Sequence, residues 1–346
     1  MSIPKPQGIN AYEINKKYDN ILKVLPPTNE RVEIIFLQAG DGMLKIEYGF
    51  NERMYIPDSF RINAVDAEIH KKKIKGVIET IPTLRANQVD FDPTVISINK
   101  LIDEIVEIED NLPSVENLVL PSRKVRLPIA FNDKSTRDCI QYYMDHQRAE
   151  GPYLKEGGTG NMEYVARYNG LNGEQDIKDI VLSSEYYNSG HGFWPGGAFW
   201  WNMDPRKEIR VPKYNPPRMH TPEGTVGMGG PCLYIYSTPS GGGYQLFGRT
   251  IPIFQFSLKH PQYRDHNSPL LFRVSDRLSF YEVDEEEILY GYEHIHNQTD
   301  YVYDIDYEGE IVVKDFLDWY HSPQIQEEAA AFRKRRDEFN AKTEKP

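Results

Sequence analysis

The alternation of apolar and polar positions changes character partway along the chain, and the change divides it in two. Residues 32–50 (VEIIFLQAGDGMLKIEYGF) set two apolar runs on either side of Ala39-Gly40-Asp41-Gly42, which predicts strand, turn, strand. Over residues 64–78 the apolar positions recur at helical spacing, with Lys71, Lys72 and Lys73 on the opposite face. A third strand is predicted over residues 85–91, ending at Asp92-Pro93, and a second amphipathic helix over residues 97–108. Interleaved strands and helices predict a small α/β domain over residues 31–112, after an N-terminal extension over residues 1–30. Residues 109–123 carry Pro113, Pro121 and the acids Glu109, Asp110 and Glu116, and read as a linker.

From Lys124 onward the pattern is different. VRLPIAF predicts a strand closed by Asn132-Asp133, and residues 135–148 predict a helix capped by Ser135 or Asp133. Short apolar runs follow, broken by Gly, Pro and Asn, with tyrosine and phenylalanine in place of leucine. That is the pattern of a β-barrel or sandwich, placed here over residues 124–290. Residues 270–283 (LLFRVSDRLSFYEV) read as its closing hairpin, two strands around Ser275-Asp276. Residues 291–346 form a C-terminal extension with a helical tail, and EEAAAFRKRRDEF runs from acids to bases, the order that suits a helix dipole.

Composition narrows the class. A chain of 346 residues suits two domains, and 39% hydrophobic residues are enough to build cores. The formal net charge of -12 argues against nucleic acid, which rewards clustered Lys and Arg. Cys139 and Cys232 stand far apart with no CxxC spacing, which predicts a reduced cytoplasmic chain without disulfides or zinc. The first twenty residues have no apolar segment of the signal-peptide kind, and no long uncharged apolar run predicts a membrane span.

Several groups invite a chemical reading and lose it on inspection. His294-x-His296 lacks a third ligand at useful spacing, so two surface histidines are expected and no metal. Asp284-Glu285-Glu286-Glu287 reads as a solvated helix start. No serine sits in a G-x-S-x-G elbow, and Gly157–Gly160 lacks the G-K-[ST] ending of a phosphate loop. Trp194, Pro195, Gly196, Phe199, Trp200 and Trp201 form the densest aromatic cluster, for which a core plug and a ligand wall are equally open.

The segment over residues 213–250 stands out. Arg218 and Arg249 are forked donors suited to a carboxylate. Gly229-Gly230 and Gly241-Gly242-Gly243 suit a backbone that turns N–H groups toward an anion or a ureido oxygen, and Tyr244-Gln245 adds a hydroxyl and an amide beside them. A pair of barrel turns with surface arginines is the plainer alternative.

At these residues the chain resembles a known family. Ala39-Gly40-Asp41 with Leu44 to Gly49, Ile81-Pro82-Thr83-Leu84-Arg85 running to Asp92-Pro93, and Val125-Arg126-Leu127-Pro128 occur in the order of the allophanate hydrolase subunit 1, or KipI-like, family. Phe193-Trp194-Pro195-Gly196 and Asp204-Pro205-Arg206 resemble two further elements, and Gly242-Gly243-Tyr244-Gln245 with Gly248-Arg249-Thr250 resembles the most specific one. Lys213-Tyr214-Asn215-Pro216-Pro217-Arg218-Met219-His220-Thr221 is similar to the urea carboxylase branch, in the second half of its carboxyltransferase domain. The residues from Glu327 to Phe339 resemble the helix that leads there to a biotin carrier. Departures occur at Gly197-Ala198, at Ser240-Gly241 and in the insertion over residues 151–162.

The resemblance implies an α+β protein: a small N-terminal α/β domain, a cyclophilin-like β-barrel and a helical C-terminal tail. It implies a carboxyltransferase that moves a carboxylate from carboxybiotin to a urea nitrogen, giving allophanate, at a site shared with a KipA-like subunit. Biotin would ride on a separate biotin carboxyl carrier protein, and ATP would be used by a separate biotin carboxylase. Arg249, Gln245 and Arg218 are the expected catalytic residues. Tyr214, Asn215, His220, Tyr244, Gly229, Gly230, Gly242 and Gly243 are the expected contacts of the small-molecule substrate. The alternatives are the same machinery acting on guanidine or 5-oxoproline, or a non-enzymatic KipI-type histidine-kinase inhibitor.

Overall fold

The computed structural model describes residues 20–28, 31–49 and 56–342. Two compact units emerge, Met1–Leu120 with Glu310–Leu317, and Pro121–Gly309 with Asp318–Pro346.

Among its described residues the first unit is centred on a five-stranded antiparallel sheet. Its strands are β1 (Ile21–Leu25), β2 (Ile34–Gln38), β3 (Met43–Tyr48), β4 (Val77–Pro82) and β5 (Ala86–Phe91), in the order β1-β2-β3-β5-β4. The turn at Ala39-Gly40-Asp41-Gly42 is the expected one, and Gly40 takes a left-handed φ of 132° that suits glycine. β1 lies within the stretch read as an extension and pairs with β2; residues 1–19 lie outside the described residues. Helix α1 (Ile56–Lys72) starts earlier than its expected span over residues 64–78. Gly76 at φ 99° ends the connection, and Val77-Ile78 belongs to β4 instead, with Ile78 exposed. Helix α2 (Ile98–Asn111) is capped by Ser97, whose hydroxyl accepts the Lys100 N–H.

The boundary between the units, at Leu120 and Pro121, falls inside the segment 109–123 read as a linker, but burial corrects that reading at its start. Glu109 is in the last turn of α2, with Oε2 accepting from Arg61 Nε at 2.8 Å and Oε1 from the Tyr48 hydroxyl. Arg61 also donates to the Glu109 carbonyl at 2.8 Å and to that of Pro113 at 3.1 Å. An acid that looked like linker composition is the buried counter-charge of this unit, and β6 (Val119–Pro121) follows it.

The second unit is a closed barrel. Its strands are β7 (Lys124–Phe131), β8 (Tyr186–His191), β9 (Ala198–Asn202), β10 (Arg218–Thr221), β11 (Thr225–Gly229), β12 (Cys232–Ile235), β13 (Ser240–Gly242), β14 (Gln245–Arg249), β15 (Arg277–Glu282) and β16 (Asp304–Asp306). Neighbours run β14-β11-β12-β9-β8-β15-β7, and β14 pairs back onto β7 to close the ring; β10 and β13 form a separate ribbon. Between β7 and β8 lie α3 (Lys134–His146), α4 (Asn161–Tyr168) and α5 (Glu174–Leu182); α6 (Pro261–Arg264) and α7 (Glu285–His296) flank β15. The barrel interior is packed with Val125, Leu127, Ile129, Trp200, Val226, Leu233, Phe247, Leu278 and Phe280. Alternate inward positions on short strands explain why tyrosine-rich segments form this core.

The closing hairpin expected over residues 270–283 is not there. Only β15 forms, and it runs parallel to β7, Leu278 opposite Val125 and Phe280 opposite Leu127. Asp276 instead takes a bidentate pair from the buried Arg123, Nε to Oδ1 at 2.9 Å and Nη2 to Oδ2 at 2.5 Å. Sequence alone shows a polar dipeptide between apolar runs; an ion pair with a residue 153 positions away makes it an anchor.

The chain then passes through the first unit with β17 (Glu310–Val312), which pairs with β6. Helices α8 (Val313–Tyr320) and α9 (Pro323–Asn340) form the tail. α9 begins before the acidic run, so Glu327 and Glu328 miss its first turn, and Glu328 pairs with Arg206 at 3.1 Å. Among the described residues no helix is long and apolar enough to cross a membrane.

Replacing Glu109 by Ala leaves Arg61 buried without its counter-charge. A loss of about 3 kcal/mol is expected in urea unfolding followed by a probe in the first unit. A change within error would mean the pair is not what holds α2 there.

Candidate active site

Closure of the barrel builds the site. Gly248 stands opposite Phe131 and Arg249 opposite Ala130, and the Asn132 N–H donates to the Phe247 carbonyl at 2.9 Å. β14 therefore delivers Arg249 to the point where β7 ends and α3 begins. There Asp133 caps α3, its Oδ2 accepting the Ser135 N–H at 3.0 Å and the Thr136 N–H at 3.4 Å while Oδ1 takes the Thr136 hydroxyl. Of the two cap candidates, the structure selects Asp133.

A cleft of about 390 Å³ opens over this junction, lined by Arg249, Lys134, Asp138, His220, Glu285 and Leu289, with Ser135, Cys139, Tyr142 and Pro222. Arg249 is only 9% exposed, and no side-chain hydrogen bond from it is found among the described residues; its Nε is buried without a partner. Asp133 Oδ2 is 3.7 Å from that Nε, too far for a hydrogen bond but close enough to balance charge. Tyr292 from α7 offers its ring 4.5 Å from the guanidinium carbon. Arg249 is thus charge-compensated and stacked, with its N–H fork left open for an acceptor. Burial pushes the Asp133 carboxyl above the usual range, opposed by its Thr136 hydrogen bond and by Arg249. Lys134 pairs with Asp138 one turn along α3, and Glu285 accepts the Lys134 N–H at 3.3 Å. Positive and negative groups thus share one small cleft.

Arg218 lies in a different place. It is fully enclosed, donating to the Tyr244 carbonyl at 2.8 Å, to Thr221 Oγ1 at 3.2 Å and to the Tyr236 hydroxyl at 3.2 Å. The Tyr214 ring sits 4.4 Å from its guanidinium carbon. Its donors are committed to the protein, so it supports the ribbon β10–β13. Gln245 is also fully buried, Nε2 on the Pro212 carbonyl at 3.0 Å and Oε1 without a partner. Neither Arg218 nor Gln245 is among the residues lining the cleft.

The Tyr214 hydroxyl donates to Asn161 Oδ1 at 2.9 Å, and the same oxygen accepts the Leu246 N–H at 2.7 Å. Asn161 Nδ2 reaches the Tyr153 carbonyl at 2.9 Å. Asn161 and Tyr153 lie in the insertion over residues 151–162, so this insertion ties α4, β14 and the Tyr214 segment together. Asn215 is exposed; its N–H reaches the Tyr153 hydroxyl at 3.2 Å. Burial pushes the phenols of Tyr214, Tyr236 and Tyr244 upward, keeping them neutral hydroxyls at neutral pH.

The glycines answer to tyrosines. A Cβ on Gly242 would lie 2.3 Å from the Tyr236 hydroxyl, and one on Gly229 would lie 2.4 Å from Tyr244 Cδ1. Gly230 donates to the Val211 carbonyl at 2.8 Å, and the Gly243 carbonyl accepts the Tyr214 N–H at 2.6 Å. The backbones of Gly230 and Gly243 are engaged in pairing, and the missing side chains of Gly229 and Gly242 are the room that aromatic rings occupy.

The aromatic cluster divides by residue. Trp200 is core, packed against Phe272 at a centroid distance of 4.6 Å, while Phe193 is 64% exposed and Trp194 40% exposed. Of the expected site residues, the structure brings Arg249 and His220 to the cleft, and sets Arg218, Tyr214 and Gln245 in the layer that supports it. Asp133, Lys134, Asp138, Glu285 and Asn161 were not singled out as site residues. The first three were legible only as a helix start, and Glu285 only as a solvated acid. His294 and His296 are hydrogen-bonded to the carboxylates of Asp300 and Glu223, and among the described residues no three His, Cys, Asp or Glu gather as a metal centre.

The family described as carboxyltransferase domain, subdomain C and D, matches residues 34–263. The urea amidolyase of Lachancea kluyveri is 33% identical over 272 residues, which is 78% of this chain and 14% of that protein. A 5-oxoprolinase subunit of Bacillus subtilis is 28% identical over 253 residues, 72% of this chain and 93% of that protein. The crystal structure of Kluyveromyces lactis urea carboxylase superposes with a TM-score of 0.78 at 28% identity, covering 93% of this chain and 28% of that one. The chain thus spans a small part of the urea amidolyase and nearly all of the 5-oxoprolinase subunit.

Two outcomes are expected. Gly242→Ala forces a Cβ into Tyr236 and should lower stability by about 2 kcal/mol in denaturant melts, the usual cost of overpacking. The second concerns Asp133, whose raised pKa means the folded state favours its protonated form. That contribution is present below the ordinary carboxyl range and is lost as pH rises through the raised value. Asp133→Asn stays neutral, so its melting temperature should gain on the wild type as pH rises from acid to neutral. A pH-independent difference would refute this.

Proposed function

The chain belongs to the carboxyltransferase domain, subdomain C and D, family, and from that premise we propose that it is the carboxyltransferase subunit of a split, biotin-dependent complex of the urea carboxylase type. The substrate proposed is urea, carboxylated at nitrogen to give allophanate, at a site completed by a KipA-like subunit. The observation that carries this reading is Arg249, a buried guanidinium in a small cleft that finds no hydrogen-bond acceptor among the described residues. The split arrangement draws support from the Bacillus subtilis relative, a protein of nearly the same span whose name marks it as one subunit of several.

The residues suit the chemistry. Biotin, on a separate carrier and charged by a separate ATP-using biotin carboxylase, supplies the activated carboxylate when bound. Arg249 offers N–H donors that make no hydrogen bond among the described residues; they suit a carboxylate or a ureido oxygen, and so meet the requirement the group sets. Lys134 adds positive charge on the same lining, and His220 stands at the exposed edge. Donors already in place when charge builds on an oxygen lower the barrier by a few kcal/mol each. Tyr214, Tyr236 and Arg218 form a buried layer, and such water-poor packing suits a site that must protect a carboxyl group against unproductive loss. Gln245 and the glycines act by shaping β14 and its neighbours.

One observation favours a second substrate within the same machinery. Asp138 and Glu285 line the cleft, and a carboxylate pair suits a cationic acceptor such as guanidine. The test is to co-express the chain with its KipA-like partner, carrier and biotin carboxylase, and to measure ATP turnover with urea, guanidine and 5-oxoproline in parallel. Urea-dependent turnover is expected, reduced about 100-fold or more by Arg249→Ala, as for loss of a transition-state donor. Turnover with guanidine alone would move the assignment to that substrate. No turnover with any of the three, together with a stable complex with a histidine kinase, would replace the enzyme reading altogether.

A further inference from the structure

The unused hydrogen-bonding capacity of Arg249 raises the question of what Asp133 does beside it. Both oxygens of Asp133 are already engaged: Oδ1 takes the Thr136 hydroxyl, and Oδ2 takes two backbone N–H groups of α3. With a side chain fully shielded from solvent, Asp133 cannot touch a ligand in the cleft. Its negative charge nevertheless stands 3.7 Å from Arg249 Nε. The other groups that face it are Glu285 and Tyr292 from α7 and Cys139 from α3, and neither the phenol nor the thiol, both pushed up by burial, is charged at neutral pH. Arg249 keeps a second contact that does not involve Asp133, the Tyr292 ring, which lies 4.5 Å from its guanidinium carbon.

We propose that Asp133 is a positioning residue that sets how strongly the cleft holds a carboxylate: it offsets part of the Arg249 charge while leaving the N–H fork free. The physical need follows from transfer chemistry. A carboxylate that must arrive and then leave gains nothing from a grip equally strong before and after the reaction. A buried arginine with no counter-charge would hold a small anion too firmly. An arginine hydrogen-bonded directly to its carboxylate would have fewer donors and less charge to offer one. An ion pair at 3.7 Å, with the carboxylate's own acceptor capacity filled by a helix cap, lies between these extremes. The inference rests on the carboxyl-transfer reading for its purpose, but anion binding can be measured on this chain alone.

The experiment is calorimetric titration of the full chain at neutral pH with acetate and with methanesulfonate. Wild type should bind both saturably, and Arg249→Ala should lose about tenfold or more in affinity, as for a charge-assisted hydrogen-bonded contact. Asp133→Asn keeps an oxygen for the cap and removes the charge; it should bind about fivefold more tightly, the size expected for one partly screened charge at this distance. If Asp133→Asn does not fold, Asp133→Ser, also a good cap, asks the same question. Equal or weaker binding by a folded, charge-free variant overturns the proposal, as does absence of saturable binding by the wild type. Tighter binding in a chain that never supports carboxyl transfer would keep this inference and remove the transfer reading. Transfer by a chain whose anion affinity ignores Asp133 would do the reverse.

Discussion

Closure of the barrel at Gly248 is the constraint on which the site depends. A Cβ at that position would lie 2.1 Å from the Ala130 carbonyl oxygen, so β14 can meet β7 only through a glycine. The next residue is then Arg249, and three residues past Ala130 is Asp133. The pairing of strands more than a hundred residues apart therefore sets a guanidinium beside a helix cap. Much of the cleft follows from it: α3 contributes Lys134 and Asp138 because it starts where β7 ends, and α7 contributes Glu285 because β15 lies parallel to β7.

Beneath the cleft, tyrosine and glycine divide the space. Tyr236 fills the position a side chain on Gly242 would claim, Tyr244 that of Gly229, and the Tyr234 hydroxyl that of Gly197. Glycine in a strand is unfavourable for the strand itself. Here the loss is offset by ring packing and by the oxygens that satisfy Arg218. The arginine carries a full charge in the interior, met by one carbonyl, two hydroxyls and a tyrosine face. That layer is built to be rigid, whereas Arg249 above it is built with donors to offer.

Element types were readable where patterning is local. The Gly40 turn, α2, β7, α3 and the acidic start of α7 at Asp284 follow from neighbouring residues and stand in the structure. What went astray involved distant partners. Glu109 looked like linker because its partner Arg61 lies 48 residues away, and Ser275-Asp276 looked like a hairpin turn because Arg123 lies 153 residues away. The two arginines of residues 213–250 looked alike, since residue type says nothing about whether a guanidinium's acceptors are already supplied.

By itself the sequence determined the α+β composition and the family, and it pointed to the segment around Gly242-Gly243-Tyr244-Gln245 and Gly248-Arg249-Thr250 as a candidate site. Those properties are carried by residue identity and short-range order. Only the tertiary structure decided that Arg218 and Gln245 support while Arg249 faces a cleft, and that Asp133, Lys134, Asp138 and Glu285 share the cleft region with it. Hydrogen-bond saturation and charge balance are properties of neighbours in space, and here those neighbours come from strands and helices joined by barrel closure.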